Sequence, residues 1–517
     1  MSQAAAISGP VPAAPAPLTG AGLYLAALML GLANFMVVLD TTIANVSVPH
    51  IAGALAVSPS QGTWVITSYS VAEAITVPLT GWLSQRFGAV RVFAAGMLGF
   101  GVFSMLCGFA PSFGLLVAFR VAQGLCGGPI MPMSQTLLLH IFPKDKGPQA
   151  LGLWSMTTVV APIAGPILGG LISDNMHWGW IFFINIPVAV AVGAIGYRML
   201  IAHDTGTRRV PVDYVGLGLL VVWVGAMQVM LDKGKELDWF SSPFIVGLAV
   251  VAAIGFAAFL IWELTSDNPI VNLRVFRHRG FVIGVITLSL TFGAFFASVV
   301  LIPLWLQTSM GYTATWAGYA GCLNGVLAVI MSPIVAKLMG RFDVRALVSF
   351  GVFWMAGVAI WRAVFTTEAS FWDIAIPQFV LGFAMPFFFI PTTSLSLSSV
   401  LPQETAAAAG LQNFLRTTSA AFATSIMTTA WENTSNAKRS ILAGALPDPQ
   451  RALDTLTGRG MSLDQALRQL EGLVQTQAVM LSTNDMFLAT AGVFAVAASV
   501  IWLAPKPKRI AAPGGGH

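Results

Sequence analysis

Fourteen separate runs of about twenty apolar residues divide this 517-residue chain. At about 1.5 Å per helical residue, each can cross the roughly 30 Å hydrocarbon core of a bilayer. Backbone polar groups must be satisfied internally in that solvent, so the runs are expected as helices. They lie at 23–43, 63–83, 92–109, 113–131, 151–172, 180–201 and 215–231. The second set lies at 244–264, 281–305, 315–338, 346–365, 374–397, 406–429 and 486–504. Only 9% of the residues are charged, against about 25% in a soluble domain. The net charge of +5 therefore gives no sign of nucleic-acid binding and bears instead on topology.

Basic residues alternate between the loops. One set carries Arg86 and Arg91; Lys144 and Lys146; Arg198, Arg208 and Arg209; Arg274, Arg277 and Arg279; Lys337, Arg341 and Arg345; Lys506, Lys508 and Arg509. The opposite short loops hold Lys233, Lys235 and Arg362. The positive-inside rule puts the first set, and both termini, in the cytoplasm. Residues 1–22 are Ala/Pro-rich without Lys or Arg and read as a disordered cytoplasmic tail rather than a signal peptide. Cys107, Cys126 and Cys322 fall inside spans, so neither a disulfide framework nor metal-ligand spacing is expected.

The chain repeats itself weakly. Pro78, Gly81, Leu83, Arg86 and Phe87 correspond to Pro333, Ala336, Leu338, Arg341 and Phe342, and the segment from Arg120 to Gly124 has an echo in Gln378 to Gly382. Halves beginning at spans 1 and 9 follow. The expected architecture is an all-α membrane protein with a six-helix bundle at 23–212, two inserted helices at 213–265 and a second six-helix bundle at 266–504. A cytoplasmic tail follows at 505–517. Two related bundles with a site between them near the midplane are what alternating access requires.

These motifs resemble those of the fourteen-span drug:proton antiporters of the major facilitator superfamily. Leu39-Asp40-Thr41-Thr42-Ile43-Ala44-Asn45 with Pro49 is similar to the family signature in span 1. Gly81 to Gly88 is similar to its loop 2–3 motif, Arg120 with Gln123 and Gly124 to its span 4 motif, and Gly165-Pro166 to its antiporter motif. The segments 178–185 and 231–239 resemble inner-membrane subunits of tripartite efflux pumps. The resemblance implies the major facilitator fold, and gating roles for Gly81, Arg86, Gly88, Gly165, Pro166, Gly169 and Gly170. One departure is Gln85, where the family usually carries Asp; the gate here must use other contacts.

No G-x-x-x-x-G-K-[ST] phosphate loop exists, so the expected energy source is an ion gradient with no cofactor. One charge moved through 100 mV yields about 2.3 kcal/mol. Asp40, about 17 residues into span 1 and so read as near its periplasmic end, is the leading proton carrier. Its plainer reading is an interfacial Asp bonded to backbone. Arg120 is the natural counter-charge, since an arginine near a helix centre costs about 2.5–3.5 kcal/mol and should be paired; a structural clamp on carbonyls is the alternative. Glu73, mid-span, fits a second proton site, a counter-charge for a cationic substrate, or interhelical glue. Arg416 in span 13 reads the same way.

Asn34, Phe35, Trp154, Trp305, Asn324, Phe387 and Gln412 are candidates for a substrate cavity by depth alone. Residues 431–484 form a long polar outer loop in which Leu463, Leu467, Leu470, Val474 and Leu481 share one helical face, with Ser462 and Gln465 as a capping box. This stripe could dock a periplasmic partner or pack on the chain's own spans. The resemblance implies an EmrA-like membrane-fusion adaptor and an outer-membrane channel as partners, beside membrane lipid and hydrophobic drug-like substrates. The reading is a proton-driven multidrug exporter in a bacterial inner membrane. A narrow exporter of a metabolite or fatty acid, or an uptake permease, stays open. A non-transporting assembly subunit or receptor would not need such costly buried charges.

Overall fold

The computed structural model describes residues 18–143, 146–208, 210–446 and 448–506, without the side chains at 59, 60, 159, 163, 166, 174 and 314. Most of the N-terminal tail, Lys144, Arg209, Lys508, Arg509 and the Pro166 side chain lie outside the described residues. Every regular element among those described is helical. The first half contains α1 (Gly20–Ala54), α2 (Pro59–Gly62), α3 (Trp64–Thr76), α4 (Thr80–Phe87) and α5 (Ala89–Gly108). It continues with α6 (Phe113–Gly127), α7 (Ile130–Ile141), α8 (Gly147–Asn175), α9 (Trp180–Phe183) and α10 (Asn185–Leu200). Next come α11 (Tyr214–Lys233) and α12 (Pro243–Thr265). The second half contains α13 (Arg279–Ser309), α14 (Ala314–Leu338), α15 (Val344–Arg362), α16 (Phe371–Ser398), α17 (Thr405–Gly444), α18 (Pro449–Thr457) and α19 (Leu463–Val500).

Local chemistry sets the breaks. Pro78 lacks a backbone N–H and separates α3 from α4. Thr80 Oγ1 turns back to donate to the Val77 carbonyl at 2.6 Å. Gly128-Pro129 divides α6 from α7 in the same way. At Gly88 the chain turns with φ of +90°, a region that a Cβ-free residue enters without steric cost. Eleven helices are long and apolar enough to cross a membrane on their own. A twelfth passage, α8, bends by 41° between 147–162 and 167–173. The other two of the fourteen expected spans fall on the broken pair α3–α4 and on the more polar α17.

Packing repeats between the halves. In the first, α1 packs on α8, α3 on α6, and α5 on α10; in the second, α13 packs on α17, α14 on α16, and α15 on α19. These pairs occupy the same serial positions if the halves start at α1 and α13. Close approach depends on equivalent glycines. A Cβ on Gly124 would lie 2.5 Å from the Tyr69 carbonyl, and one on Gly382 would meet the Asn324 carbonyl. Across the halves α8 packs on α14 and α16, and α17 on α7 and α4. The inserted α11 packs on α12 and touches both α3 and α17.

Two expectations are corrected. Residues 431–484 are not a loop: α17 runs on to Gly444 and α19 starts at Leu463, with α18 between them. The capping box does form, Gln465 N donating to Ser462 Oγ at 3.3 Å and Ser462 N to Gln465 Oε1 at 3.0 Å. The two helix extensions are tied by Lys438–Asp485 at 2.5 Å and by Trp431 Nε1 donating to Thr483 at 2.9 Å. Second, α1 continues to Ala54, so Asp40 lies near the middle of a 35-residue helix rather than towards its end. Asn45, Ser47 and His50 end the apolar run without ending the helix; the Ser47 hydroxyl donates to the Ile43 carbonyl at 3.1 Å and lies 2.8 Å from Ser173 Oγ.

Candidate translocation and coupling site

A fully enclosed polar centre lies inside the first half. The Asp40 carboxylate accepts from Arg120 Nη1 at 2.6 Å, Asn185 Nδ2 at 2.7 Å and Gln123 Nε2 at 3.1 Å. Neither side chain of the Asp40–Arg120 ion pair reaches solvent. Arg120 Nε donates to the Val65 carbonyl at 2.9 Å, and its guanidinium lies 4.3 Å from the Tyr69 ring centroid. The ion-pair and carbonyl-clamp readings of Arg120 are thus both present. Asn185 also donates to Ser104 at 3.1 Å. Asn185 and Ser104 escaped the sequence reading, since an amide or hydroxyl in an apolar span carries no pattern of its own. Charges this deep persist only with several partners, and Asp40 has three.

The second centre is a cavity of about 560 Å³ between the halves. It is lined by α1, α3, α8, α13, α14, α16 and α17 and by the end of α11. Glu73 enters it from α3, Asp232 from α11 and Arg416 from α17. Arg416 is 2% exposed, and Nη2 donates to Met131 Sδ at 2.7 Å. Its guanidinium lies 4.9 Å from the Phe292 ring centroid, while Nε and Nη1 have no acceptor. Asp232 accepts from Thr67 Oγ1. A mostly apolar wall with a few convergent polar groups suits an amphipathic small molecule.

The cavity reaches Lys235 and Gly318, near helix ends on the face away from the chain termini, and Thr428 within α17. The terminus-bearing face is closed. There a Cβ on Gly81 would stand 2.7 Å from Ala407 Cβ, so α4 and α17 meet only because position 81 carries none. The main-chain carbonyl of Gln85 accepts from Arg208 N at 2.8 Å. Arg86 Nη1 donates to the Val210 carbonyl at 2.5 Å. Gly88 abuts Asp204, whose carboxylate accepts from Val90 N at 2.8 Å. The second half braces α17, with Glu404 held by Arg277 at 2.7 Å and His278 at 2.9 Å. Along α8, Gly165 lies against Thr42 and a Cβ on Gly169 would be 3.1 Å from the Ile43 carbonyl; Gly170 faces open space.

Of the seven cavity candidates chosen by depth, Asn324 alone lines this cavity among the described residues. Asn34 is spent on Thr157 and Thr158, and Trp154 donates to Ser134 at 2.9 Å and stacks on Phe389. Trp305 stacks on Phe365, Phe387 packs on Phe350, and Gln412 bonds Thr393. Phe35 packs against an apolar cluster of the first half. Depth locates a residue along the membrane normal but not around its helix axis. The missed lining includes Phe292, Phe295 and Phe296, whose i, i+3, i+4 spacing marks one face of α13. On α19, Leu463 and Leu467 are 56% and 46% exposed, while Leu470 and Val474 are half-buried.

Two helical bundles closed at one face around a midplane cavity form the architecture of a secondary transporter. The family model described as Major Facilitator Superfamily matches residues 30–424. The chain belongs to the Major Facilitator Superfamily. It is 46% identical over 505 residues to the multidrug export protein EmrB of Escherichia coli K12, covering 97% of this chain and 99% of that protein. It is 43% identical, with the same coverages, to the fatty acid resistance protein FarB of Neisseria gonorrhoeae. The human organic anion transporter MFSD10 shares the fold at a TM-score of 0.56 and 12% identity, over 91% of this chain and 99% of that one.

Proposed function

We propose that this protein exports amphipathic hydrophobic compounds in exchange for protons, by alternating access between its two bundles. The observation that carries the reading is the apolar central cavity, in which Glu73 and Arg416 come from opposite halves. A substrate bridging them couples the halves directly. Glu73 is the acid that the first half presents to the cavity, with Asp232 of the inserted α11 beside it on the lining, and the Asp40–Arg120 pair is the buried charge couple that answers movement of α1 against α6. The likeness to proteins named for multidrug export supports the substrate class. Energy comes from the proton gradient without a cofactor. Basic loops on the terminus-bearing face support a bacterial inner-membrane location with cytoplasmic termini.

The same reading makes the chain the inner-membrane component of a tripartite pump. The α17–α19 hairpin, with Leu463 and Leu467 exposed, is the surface for an EmrA-like adaptor that continues to an outer-membrane channel. A narrower exporter of fatty acids is the second reading, favoured by the unpartnered Nε and Nη1 of Arg416, which suit a carboxylate.

The test is substrate-triggered proton movement in inside-out vesicles, followed with a pH-sensitive dye. Lipophilic weak acids and cationic dyes serve as trial substrates, and native protein is compared with Asp40→Asn. Proton release that disappears in correctly inserted Asp40→Asn places coupling at the buried pair. Unchanged flux in the variant removes Asp40 from coupling, and no flux with any substrate in native protein overturns antiport.

A further inference from the structure

The segment that ends α11 borders the open side of the central cavity, where Asp232 and Lys235 line it. On one side this segment, 231–239, is tied to α3. Thr67 Oγ1 donates to the Asp232 carboxylate, and Lys233 Nζ donates to Thr63 Oγ1 at 2.7 Å and to Glu236 Oε2 at 2.9 Å. Lys233 Nζ also lies 5.9 Å from the Trp64 ring centroid. On its other side the segment is tied to α17. Ser425 Oγ donates to the Leu231 carbonyl at 3.0 Å, and Trp239 Nε1 donates to Thr429 Oγ1 at 2.9 Å. Lys235 Nζ pairs with Glu432 Oε2 at 3.0 Å. Ser425, Thr429 and Glu432 follow i, i+4, i+7 spacing and so share one face of α17.

The segment is bent hard. Asp238 and Trp239 have φ of +54° and +51°, a region that non-glycine residues hold only where surrounding contacts impose it. Trp239 N donates to the Gly234 carbonyl at 2.7 Å, and a Cβ on Gly234 would stand 2.5 Å from the Trp239 ring. Thr429 then fixes the indole N–H, so a helix of the second half helps to hold the turn. The two anchorages differ. Lys233 is 7% exposed and Thr67 1%, so leaving α3 would strand buried polar groups. Trp239 and Thr429 are half-buried, and both side chains of the Lys235–Glu432 pair reach solvent. Water can replace those partners, so α17 is the side that lets go.

We propose that residues 231–239 are a strap that latches α17 to α3 across the cavity mouth and stabilises the form open on the face away from the termini. Contacts made in one form and lost in the other bias the equilibrium by their difference. When the halves rock to close that mouth, the end of α17 shifts against α3, and Trp239 and Lys235 release it. The inserted α11 thereby gains a role in the cycle as the carrier of the strap. This inference rests on the alternating-access reading above.

The experiment uses the full chain in proteoliposomes, with Cys107, Cys126 and Cys322 replaced by Ser. Spin labels at Phe87→Cys and Phe342→Cys report the separation of the halves on the terminus-bearing face, where both native side chains are exposed. Pulsed electron resonance gives the population of long, open distances without any substrate. Trp239→Phe removes the N–H and keeps an aromatic ring on Gly234. It is expected to raise that population about three- to tenfold, the weight of one hydrogen bond. Lys235→Glu is expected to raise it about twofold, and adding Glu432→Lys to return it, as for an exposed pair. This exchange decides the question if Trp239→Phe folds poorly. In a separate preparation Lys235→Cys and Glu432→Cys are bridged by a short reducible cross-linker. Ethidium transport is expected to fall about tenfold or more in the bridged protein and to recover on reduction. Unchanged distances in folded Trp239→Phe, a charge exchange that fails to restore them, or full transport by the bridged protein would overturn the latch. Native protein that moves no ethidium counts against the export reading, while the distances still decide the strap.

Discussion

The enclosed Asp40–Arg120 pair gives an asymmetry that can be measured. Breaking a buried ion pair from one side costs about 3–5 kcal/mol, because the remaining charge stays buried. The two sides differ here. In Arg120→Gln the carboxylate keeps its donors Gln123 and Asn185 and can also neutralise itself by binding a proton. In Asp40→Asn the guanidinium keeps the Val65 carbonyl and Gln123 Oε1 as acceptors, and a guanidinium is not deprotonated in proteins. Asp40→Asn should therefore cost about 3–5 kcal/mol and Arg120→Gln less, about 2–3 kcal/mol. The double variant buries no charge and should fall well short of the sum, with a coupling of about 2 kcal/mol or more. Reversible unfolding in mixed micelles at neutral pH reads all four corners of the cycle. Proton flux supplies the control, since stability should return in the double variant while coupling does not. Additive losses to within about 0.5 kcal/mol, or a costlier Arg120→Gln, would refute the reasoning.

Other expectations follow from single contacts. Glu73→Gln should keep the fold and abolish substrate-triggered proton release; full release would remove Glu73 from coupling. Gly81→Val places a side chain where Ala407 already stands, so the terminus-bearing face should fail to close. Transport should then stop and a cysteine at position 407 should gain reactivity from that face; continued protection refutes the contact as a gate. Leu463→Asp with Leu467→Asp should weaken adaptor capture about tenfold without changing thermal stability, and intact capture removes this face from docking. Asp343 caps α15, and its hydrogen bond from Arg345 holds its carboxyl below the ordinary 3.8. A lowered folded value contributes stability above the unfolded value and loses it as pH falls through the lowered one. Asp343→Asn should remove that acid-side loss of thermal stability, and an unchanged acid limb refutes the linkage.

Much of the architecture was legible in the order of residues. Each span announces itself because an unmet backbone in hydrocarbon forces long apolar helices, but the run at 63–83 hid the break that the structure places at Pro78 between α3 and α4. Helix ends were less legible. Once a helix leaves the bilayer, apolar length stops reporting on it, and the ends of α1 and α17 were therefore missed. The beginning of α19 was different, because the Ser462–Gln465 box is a local signal that needs no membrane.

Sequence by itself determined that this chain crosses a membrane many times, falls into two related halves, and carries Asp40, Glu73, Arg120 and Arg416 where charge is expensive. Only tertiary structure decided how those charges divide. Asp40 and Arg120 close on each other with Gln123 and Asn185, whereas Glu73 and Arg416 look into the cavity. Hydropathy records depth, and partnership depends on rotation about each helix axis and on which helices meet. That rotation is set by packing, by Gly81 against Ala407 and Gly165 against Thr42, between residues far apart in the chain.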